Sequence, residues 1–190
     1  MKLSTIGTRP DPPCLKRDDL RVLQDGDGRD VAAHHFTPLT EFGAHELEWI
    51  ADGMRGYLLH DGFARGADHL AYPLGKRDPS LVVPVVSRRF QTARLASAGP
   101  ETLPPGDPHR LRSMNALRST TSEGIGRAVA RAREHRGWLI PMFRYLVERP
   151  SEDTGHATED FRRALEATDA EGVSVRTVSE VFDACRGEAP

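Results

Sequence analysis

The sequence predicts an α/β fold in which helices and strands alternate along the chain. Three observations support this prediction: apolar residues recur at helical spacing in several segments, short apolar runs separate those segments, and Gly or Pro marks most junctions. Such alternation implies parallel β–α units, wound as a doubly covered sheet or as a barrel. The 190 residues suit one domain with a sizeable core.

The first half of the chain is predicted to contain three helices and three strands. Residues 1–14 are proline-containing and are predicted to be an irregular lead-in to a single domain over residues 15–187. Asp18 and Asp78 are the predicted N-caps of the first and third helices, and Pro84 predicts that the third is short or kinked. The predicted helices cover 18–24, 43–61 and a segment beginning at Asp78, and the predicted strands cover 30–33, 69–72 and 90–96.

The second half continues the alternation. Residues 98–108 and 148–157 are polar or punctuated by Gly and Pro, which predicts loops. Thr177 is the predicted cap of the last helix, and Pro141 weakens a central position for the strand that contains it. The predicted strands cover 111–116, 138–143 and 173–176, and the predicted helices cover 121–135, 158–169 and 178–185.

Composition restricts the kinds of partner that we expect. The chain carries 26 basic and 28 acidic residues, a formal net charge of −2, so bulk charge does not favour nucleic acid. No apolar run approaches the roughly 20 residues that span a bilayer. Met1 to Pro13 lacks the apolar segment of a secretory signal, so we expect a cytoplasmic protein if Met1 is the true start.

The most chemically informative stretch is the pair His34 and His35, which follows the short β-type run from Val31 to Ala33. Residues beyond the carboxyl end of a parallel strand line the ligand crevice, where imidazole can bind a metal or move protons. The alternative is that both are surface loop residues. The other histidines lack metal-ligand spacing and are expected at the surface; they are His45, His60, His69, His109, His135 and His156.

Three segments resemble the polysaccharide deacetylases of the NodB-homology type. The segment from Leu20 to His34 resembles the family's helix and its strand G-x-E-I-A-x-H, which ends in a metal-binding histidine. Leu70-Ala-Tyr-Pro-Leu-Gly75 with Asp78-Pro79 is similar to the segment that lines the substrate groove. Gly137-Trp-Leu-Ile-Pro-Met-Phe-Arg144 resembles the penultimate strand, whose last residue in the family is a catalytic histidine. The likeness spans roughly residues 18–186.

The resemblance implies an irregular (β/α) barrel of about seven strands, incomplete at its N-terminus, with a carbohydrate substrate. Enzymes of this family remove acetyl groups from sugars with the help of a divalent, zinc-like metal, which activates water. By resemblance, His34 would be a metal ligand, and His35 is a weak second candidate. Tyr72 and Pro73 would line the substrate groove, while a half-buried packing role is the alternative for Tyr72.

The departures from the family pattern predict impaired hydrolysis. The family's Asp-Asp motif is missing, and Asp18-Asp19 is better explained by helix capping. Pro38 stands where the second metal-binding histidine is expected. Arg144 takes the position of the catalytic histidine, but arginine stays protonated and cannot cycle as an acid. It could pair with a sugar carboxylate or phosphate, or form an ion pair with Glu148 or another acid.

Three hypotheses remain open at this point. The first is a deacetylase whose N-terminal strand was lost through a misassigned start codon or truncation, which the upstream reading frame would reveal. The second is a non-catalytic remnant that binds a glycan or a partner. The third is a structural domain without a ligand, whose incomplete barrel edge would favour homo-oligomers. None of them involves nucleic acid or a membrane.

Overall fold

The computed structural model of the chain describes residues 15–26 and 28–187. The lead-in predicted over residues 1–14 therefore lies outside the described residues. The described residues form two compact units: the first contains residues up to 95 together with 108–110 and 177 onward, and the second contains residues 96–107 and 111–176. The single domain predicted over 15–187 stays a prediction.

The described residues contain six α-helices and seven strands in a mixed arrangement, so the α/β class is confirmed. None of these helices is long and apolar enough to cross a membrane. The helices are α1 (Arg17–Asp25), α2 (Ala44–His60), α3 (Val82–Ser87), α4 (Ser122–Glu134), α5 (Thr158–Ala170) and α6 (Val178–Arg186). The strands are β1 (Ala33–His34), β2 (His69–Ala71), β3 (Thr92–Arg94), β4 (Met114–Asn115), β5 (Pro141–Met142), β6 (Tyr145–Val147) and β7 (Gly155–Ala157).

Side-chain oxygens cap several helices, although not always at the predicted residue. The Thr177 cap of α6 is confirmed: its hydroxyl accepts from the Glu180 amide, and the Glu180 carboxylate accepts from the Thr177 amide at 2.7 Å. The Asp18 cap is wrong, because α1 begins one residue earlier and the neighbouring carboxylate of Asp19 accepts from the Lys16 amide at 2.7 Å.

The helix predicted to begin at Asp78 begins at Val82 instead. The Asp78 carboxylate caps the preceding turn, where it accepts from the amide of Ser80 at 2.7 Å and from that of Leu81 at 3.1 Å. The hydrogen bond from the Ser80 hydroxyl at 2.6 Å, followed by those from the two amides, lowers the pKa of Asp78. Pro84 is the third residue of α3, where its missing amide costs no helical hydrogen bond, so the prediction of a short helix is confirmed.

The strands pair in parallel within three separate small sheets. In the first unit the order is β1-β2-β3, and in the second unit β4 pairs with β5 and β6 with β7. Parallel pairing agrees with the prediction of β–α units. These sheets do not test whether the strands close into an irregular barrel, so the barrel stays a prediction.

One strand prediction fails for lack of a partner, and another is confirmed only in part. Residues 173–176 are not paired into a sheet, although they are rich in β-branched side chains. The segment 138–143 contributes only the two residues of β5 to a sheet. Conversely, β7 lies in the predicted loop 148–157, because β6 supplies a partner there. Strand formation depends on that partner as much as on local propensity.

Each unit has its own apolar core. In the first, one face of the β1-β2-β3 sheet packs against buried side chains of α2 and α3, with the fully buried Phe63 beside them. In the second, Ile125 and Val129 of α4 pack against Ala164 of α5. Each fully buried Leu or Val side chain contributes about 1.5–3 kcal/mol to folding. The core members of the first unit that matter below are Ala33, Leu70, Tyr72, Ala93 and Leu95.

Candidate functional site

The β1-β2-β3 sheet has one apolar face and one polar face. Successive residues of a strand point to opposite faces, and residues in parallel register share a face. Ala33, Leu70 and Ala93 are in register and form the buried apolar side. The opposite side, called the polar face below, carries two cross-strand rows. The amino-end row is His69 and Thr92, and the carboxyl-end row is His34, Ala71 and Arg94.

The amino-end row is closed off from solvent. His69 is 5% exposed and Thr92 is 1% exposed, and the His69 Nδ1 and Thr92 Oγ1 atoms are hydrogen-bonded at 2.8 Å. Phe182 of α6 packs edge-on against the imidazole, with ring centres 6.4 Å apart. The prediction that His69 is exposed is therefore wrong: it points inward from the first position of β2, between a strand and a helix.

Burial governs the protonation of His69. Desolvation lowers the pKa of His69 below its ordinary value, because the charged imidazolium is disfavoured away from water. The negative charges of Asp30, Asp68 and Asp183 act in the opposite direction but do not outweigh burial. The neutral ring bonded to Thr92 is thus the form that this end of the polar face stabilises.

Asp30 fastens helix α6 at the same end. Its carboxylate accepts from the Ser179 amide at 3.0 Å and from the Ser179 hydroxyl at 2.9 Å, in the first turn of the helix. The Arg65 guanidinium lies 3.3 Å from the same carboxylate. An acidic group at a helix N-terminus is favourable both for the helix dipole and for its unpaired amides.

An open pocket of about 670 Å³ also lies at the amino ends of β2 and β3. Along its wall, Arg55 donates to Asp68 at 2.7 Å, Asp68 accepts from Gln91 at 3.1 Å, and Gln91 accepts from Arg186 at 3.3 Å. The Arg186 guanidinium in turn lies 5.9 Å from the centre of the Phe182 ring. These groups bind one another, so this wall ties α6 to the sheet.

The carboxyl-end row is half-buried and contains the first predicted site residue, His34. The sequence predicted that this histidine lies just beyond the strand. In the structure it is the last residue of β1. Its Nδ1 atom lies 2.8 Å from the Ala71 carbonyl oxygen of β2. Because a carbonyl only accepts, Nδ1 donates the hydrogen of this bond, which fixes the orientation of the ring. Histidines that bind metals are commonly oriented by such a bond.

His35 has a local role. The Thr37 amide donates to its Nδ1 atom at 3.1 Å, and its ring packs edge-on against Phe42 with ring centres 5.3 Å apart. These contacts hold the His35 ring within its own turn, and the ring thereby stabilises the loop that follows β1. Its position gives no reason to pair it with His34 as a ligand.

Tyr72 and Pro73 are buried directly after β2. Tyr72 is 2% exposed and belongs to the apolar core, and its amide donates to the Arg94 carbonyl at 3.0 Å. This burial favours the packing interpretation of Tyr72 over a groove-lining one. Pro73 begins a short 3₁₀ helix, Pro73–Gly75, in which Leu74 has φ of 55° and a 66% exposed side chain.

Arg144, the last of the predicted site residues, is exposed in the second unit between β5 and β6. Within the described residues it forms no ion pair with Glu148, which was an alternative considered for it.

Another histidine of that unit was expected at the surface but is buried. His156 of β7 is 1% exposed, with its Nδ1 atom 3.2 Å from the Leu117 carbonyl and its ring 5.1 Å from that of Phe143.

The predictions for the other histidines differ in outcome. His45, His60 and His135 are exposed, as predicted. His109 is half-buried, with its Nε2 atom 2.8 Å from the Phe90 carbonyl oxygen.

The ligand set for a metal is incomplete in the part of the chain that the structure describes. No group of three or more His, Cys, Asp or Glu side chains is arranged there to hold a metal ion. A catalytic zinc usually takes three protein ligands, so His34 by itself does not fit that requirement. We therefore derive no catalytic step through a metal at this site.

Arg94, His69 and Thr92 were missed from sequence. The sequence pattern that could have identified them is the alternation in His69-Leu-Ala71 and Thr92-Ala-Arg94. In each segment, polar or small residues flank a buried apolar residue. That pattern marks a strand with one polar face. Which residues meet across the sheet depends on register, which the alternation does not contain.

Comparison of the chain with protein-family models, with curated proteins and with solved structures gave no match. The function is therefore argued from the residues and the geometry above.

Proposed function

We propose that this chain is a polysaccharide deacetylase-like protein of the NodB-homology type, with a carbohydrate ligand and impaired hydrolysis. The support comes from the order of the three resembling segments and from the parallel α/β architecture. The irregular barrel of that family, incomplete at the N-terminus, is part of the proposal.

One observation carries the proposal: the orientation of His34 at the carboxyl end of a parallel sheet. The hydrogen bond between Nδ1 and the Ala71 carbonyl orients the ring, as such bonds commonly do for histidines that bind metals. The carboxyl ends of parallel strands are where α/β proteins bind their ligands. The position of His34 at the strand end and this orienting bond therefore support the proposal.

Hydrolysis needs more than this residue. The family reaction uses a metal-activated water, a general base and a general acid. Loss of the base and of the acid each reduces the rate on the order of a hundredfold or more. Arg144 stands at the position of the family's catalytic histidine and cannot donate a proton at neutral pH. We therefore expect acetate release far below that of an intact enzyme.

The test is acetate release from acetylated chito-oligosaccharides with and without added zinc, combined with metal analysis of the purified chain. We expect substoichiometric zinc and a rate that His34→Ala does not lower further. Stoichiometric zinc with acetate release that is lost in His34→Ala would show a complete catalytic centre and would overturn the proposed impairment.

The second candidate function is binding of a glycan without hydrolysis. The incomplete ligand set among the described residues favours it. Calorimetric titration with a panel of oligosaccharides tests it: heat of binding that His34→Ala weakens supports the candidate. Absence of heat across the panel, with a folded protein, would contradict both functions.

A further inference from the structure

We propose that the open pocket at the amino ends of β2 and β3, called the arginine pocket below, binds the phosphate group of a small organic phosphate ester. Arg55 of α2 and Arg88, the residue after α3, donate to the phosphate oxygens. The residues that line this pocket all belong to the first unit, and none of them is in the carboxyl-end row. The site is therefore independent of the carbohydrate function proposed above.

The arginine pocket has a local excess of positive charge in a chain whose formal net charge is −2. Of the eleven described residues that line it, four are arginine and two are aspartate. Glu48 does not line the pocket but pairs with Arg88 and Arg89. With Glu48 included, these four described guanidinium groups still outnumber the three carboxylates. An anionic ligand is therefore favoured over a cationic one.

Shared carboxylates leave N–H donors of two arginines for a ligand. Asp68 accepts from Nε of Arg55 at 2.7 Å with one oxygen and from Gln91 at 3.1 Å with the other. Glu48 is divided in the same way between Nη2 of Arg88 and a second arginine. Among the described residues, the Arg55 and Arg88 guanidinium groups form no other hydrogen bond or ion pair. Each keeps two nitrogens whose hydrogens can be donated to a ligand.

Solvent exposure distinguishes the arginines that contact a ligand from one that shapes the wall. The side chains of Arg55 and Arg88 are 39% and 55% exposed. Arg89 is 18% exposed, and its Nε and Nη2 atoms both donate to Asp52, at 2.8 and 3.0 Å. Arg89 is thus fixed by a bidentate pair, while Arg55 and Arg88 each have a single contact and are wetted by the pocket.

Two such arginines favour a phosphate over a carboxylate. The planar fork of a guanidinium matches either anion. A carboxylate has two oxygens, and one fork occupies both of them. A phosphate monoester has three terminal oxygens and a charge of about −1.5 to −2 near neutral pH, so it can accept from two guanidinium groups at once. Arg55 and Arg88 come from different elements and line the same pocket, as that requires.

The size of the arginine pocket indicates that the phosphate is attached to an organic group. Its volume of about 670 Å³ lies within the range of roughly 300–1,000 Å³ that is usual for small-molecule sites. Phe90 and Phe182 line it together with the arginines. Aromatic side chains beside a few polar groups are typical of a pocket that holds the carbon skeleton of a ligand.

The experiment is calorimetric titration of the full chain with phosphate esters and their unphosphorylated partners. Glucose-6-phosphate is compared with glucose, glycerol-3-phosphate with glycerol, and adenosine monophosphate with adenosine. Orthophosphate and glucuronate are the inorganic and the carboxylate controls. We expect at least one ester to bind about tenfold or more tightly than its unphosphorylated partner and than both controls, because charge-assisted hydrogen bonds have that magnitude.

Two variants test the arginines that we assign to the phosphate. Arg55→Gln and Arg88→Gln should each weaken binding of the ester about tenfold or more and leave the unphosphorylated partner unaffected. In both variants the shared carboxylate keeps its second partner, so no acid is left unpaired. Arg162→Gln is the matched control: it removes an exposed arginine of α5 that pairs with Glu159, and it should keep the ester affinity of the parent. Thermal unfolding verifies that each variant is folded.

The outcomes separate this inference from the carbohydrate function. Absence of binding by all three esters overturns the inference, as does binding of orthophosphate or glucuronate that is as tight as that of every ester. An ester affinity that both pocket variants leave unchanged, or that Arg162→Gln lowers equally, also overturns it. His34→Ala, which lies outside the pocket, should leave ester binding unchanged, so the oligosaccharide titration above is decided separately.

Discussion

The two ends of the polar face use similar side chains for opposite purposes. At the amino end, His69 and Thr92 bind each other and are sealed by Phe182, while Asp30 holds the first turn of α6. At the carboxyl end, His34 and Arg94 are half-buried, and a small residue separates them. The same three strands run through both ends, so the difference lies in what packs over the rows.

The comparison teaches which polar residues of the sheet are sealed inside the fold and which are partly accessible to solvent. A buried polar group contributes only if its partners are complete, and then its loss costs more than the loss of an exposed one. We therefore expect substitutions at the amino end to act on folding. Substitutions at the half-buried carboxyl end should have smaller effects on folding. The following predictions test this contrast, from the largest expected effect to the smallest.

The largest effect is expected for Gly66→Ala, just before β2. An added Cβ there would lie 2.6 Å from the carbonyl carbon of Val31 and 2.8 Å from its amide nitrogen, where two backbone segments meet. Backbone atoms cannot move aside without disturbing the sheet, so the free energy of unfolding should fall by about 3 kcal/mol or more. Urea denaturation measures this change.

Gly53→Ala is the matched control for that substitution. It lies inside α2, where an added Cβ meets nothing within 4 Å. Alanine in a helix interior is favoured over glycine by about 0.5–1 kcal/mol, so the unfolding free energy should rise. If both substitutions had the same small effect, the close packing at the amino end would be refuted.

Asp30→Ala should give the next largest effect. It removes the acceptor for the amide and hydroxyl of Ser179 and leaves the Arg65 guanidinium without this partner. We expect a loss of about 2–4 kcal/mol in the free energy of unfolding, because the Asp30 carboxylate and Ser179 are largely buried. Thermal and urea unfolding both report it.

Asp153→Ala provides the comparison for an exposed acid. Its carboxylate pairs with Arg118 at 3.3 Å and is 86% exposed, so the loss should stay below about 1 kcal/mol. A similar loss for both variants would mean that the contacts of Asp30 with α6 contribute little.

The pH dependence of stability should identify His69 as a buried, neutral residue. Because the pKa of His69 is lower in the folded than in the unfolded chain, the unfolded state binds more protons between the two pKa values. The free energy of unfolding should therefore fall as pH drops through about 6.5, the ordinary value for histidine, and be constant above it. Urea unfolding between pH 5 and 8 measures this slope.

His69→Gln should flatten the slope in that range, since glutamine does not titrate. His60→Gln, at an exposed position of α2, should leave the slope as it is in the parent protein. A slope that His69→Gln leaves unchanged would contradict the role given to burial.

The smallest effect is expected at the carboxyl end, for Leu74→Gly. The φ of 55° at Leu74 is unfavourable for any residue with a Cβ and costs nothing for glycine, whose greater unfolded-state entropy offsets part of the gain. We expect a net rise of about 0.5 kcal/mol in unfolding free energy. Leu165→Gly, at an exposed site in α5, should instead lower it by about 1 kcal/mol. A loss at both sites would refute the strain at Leu74.

Local sequence patterns were sufficient for the helices. The periodic apolar residues predicted α2, α4 and α5 to within one or two residues, and Thr177 marked the start of α6. Helical hydrogen bonds join residues four apart, so the information that forms a helix lies within the segment itself. His34 could likewise be found from its position at the end of a β-type run.

Strands and the candidate site depended on residues far apart in sequence. Residues 173–176 have the composition of a strand without a partner, and β7 is a strand because β6 lies beside it. Arg94 joins His34 only because both are in register with Ala71. His69 is buried only because α6, more than a hundred residues later, covers it.

The amino-acid sequence alone thus determined the α/β class, the positions of the periodic helices and the prominence of His34. The tertiary structure decided which strands pair, which face of the sheet is polar and which end of that face is sealed. The physical reason is that a β-strand satisfies its backbone hydrogen bonds with a different segment. Register and burial are therefore properties of the folded chain, and the carboxyl-end row exists only there.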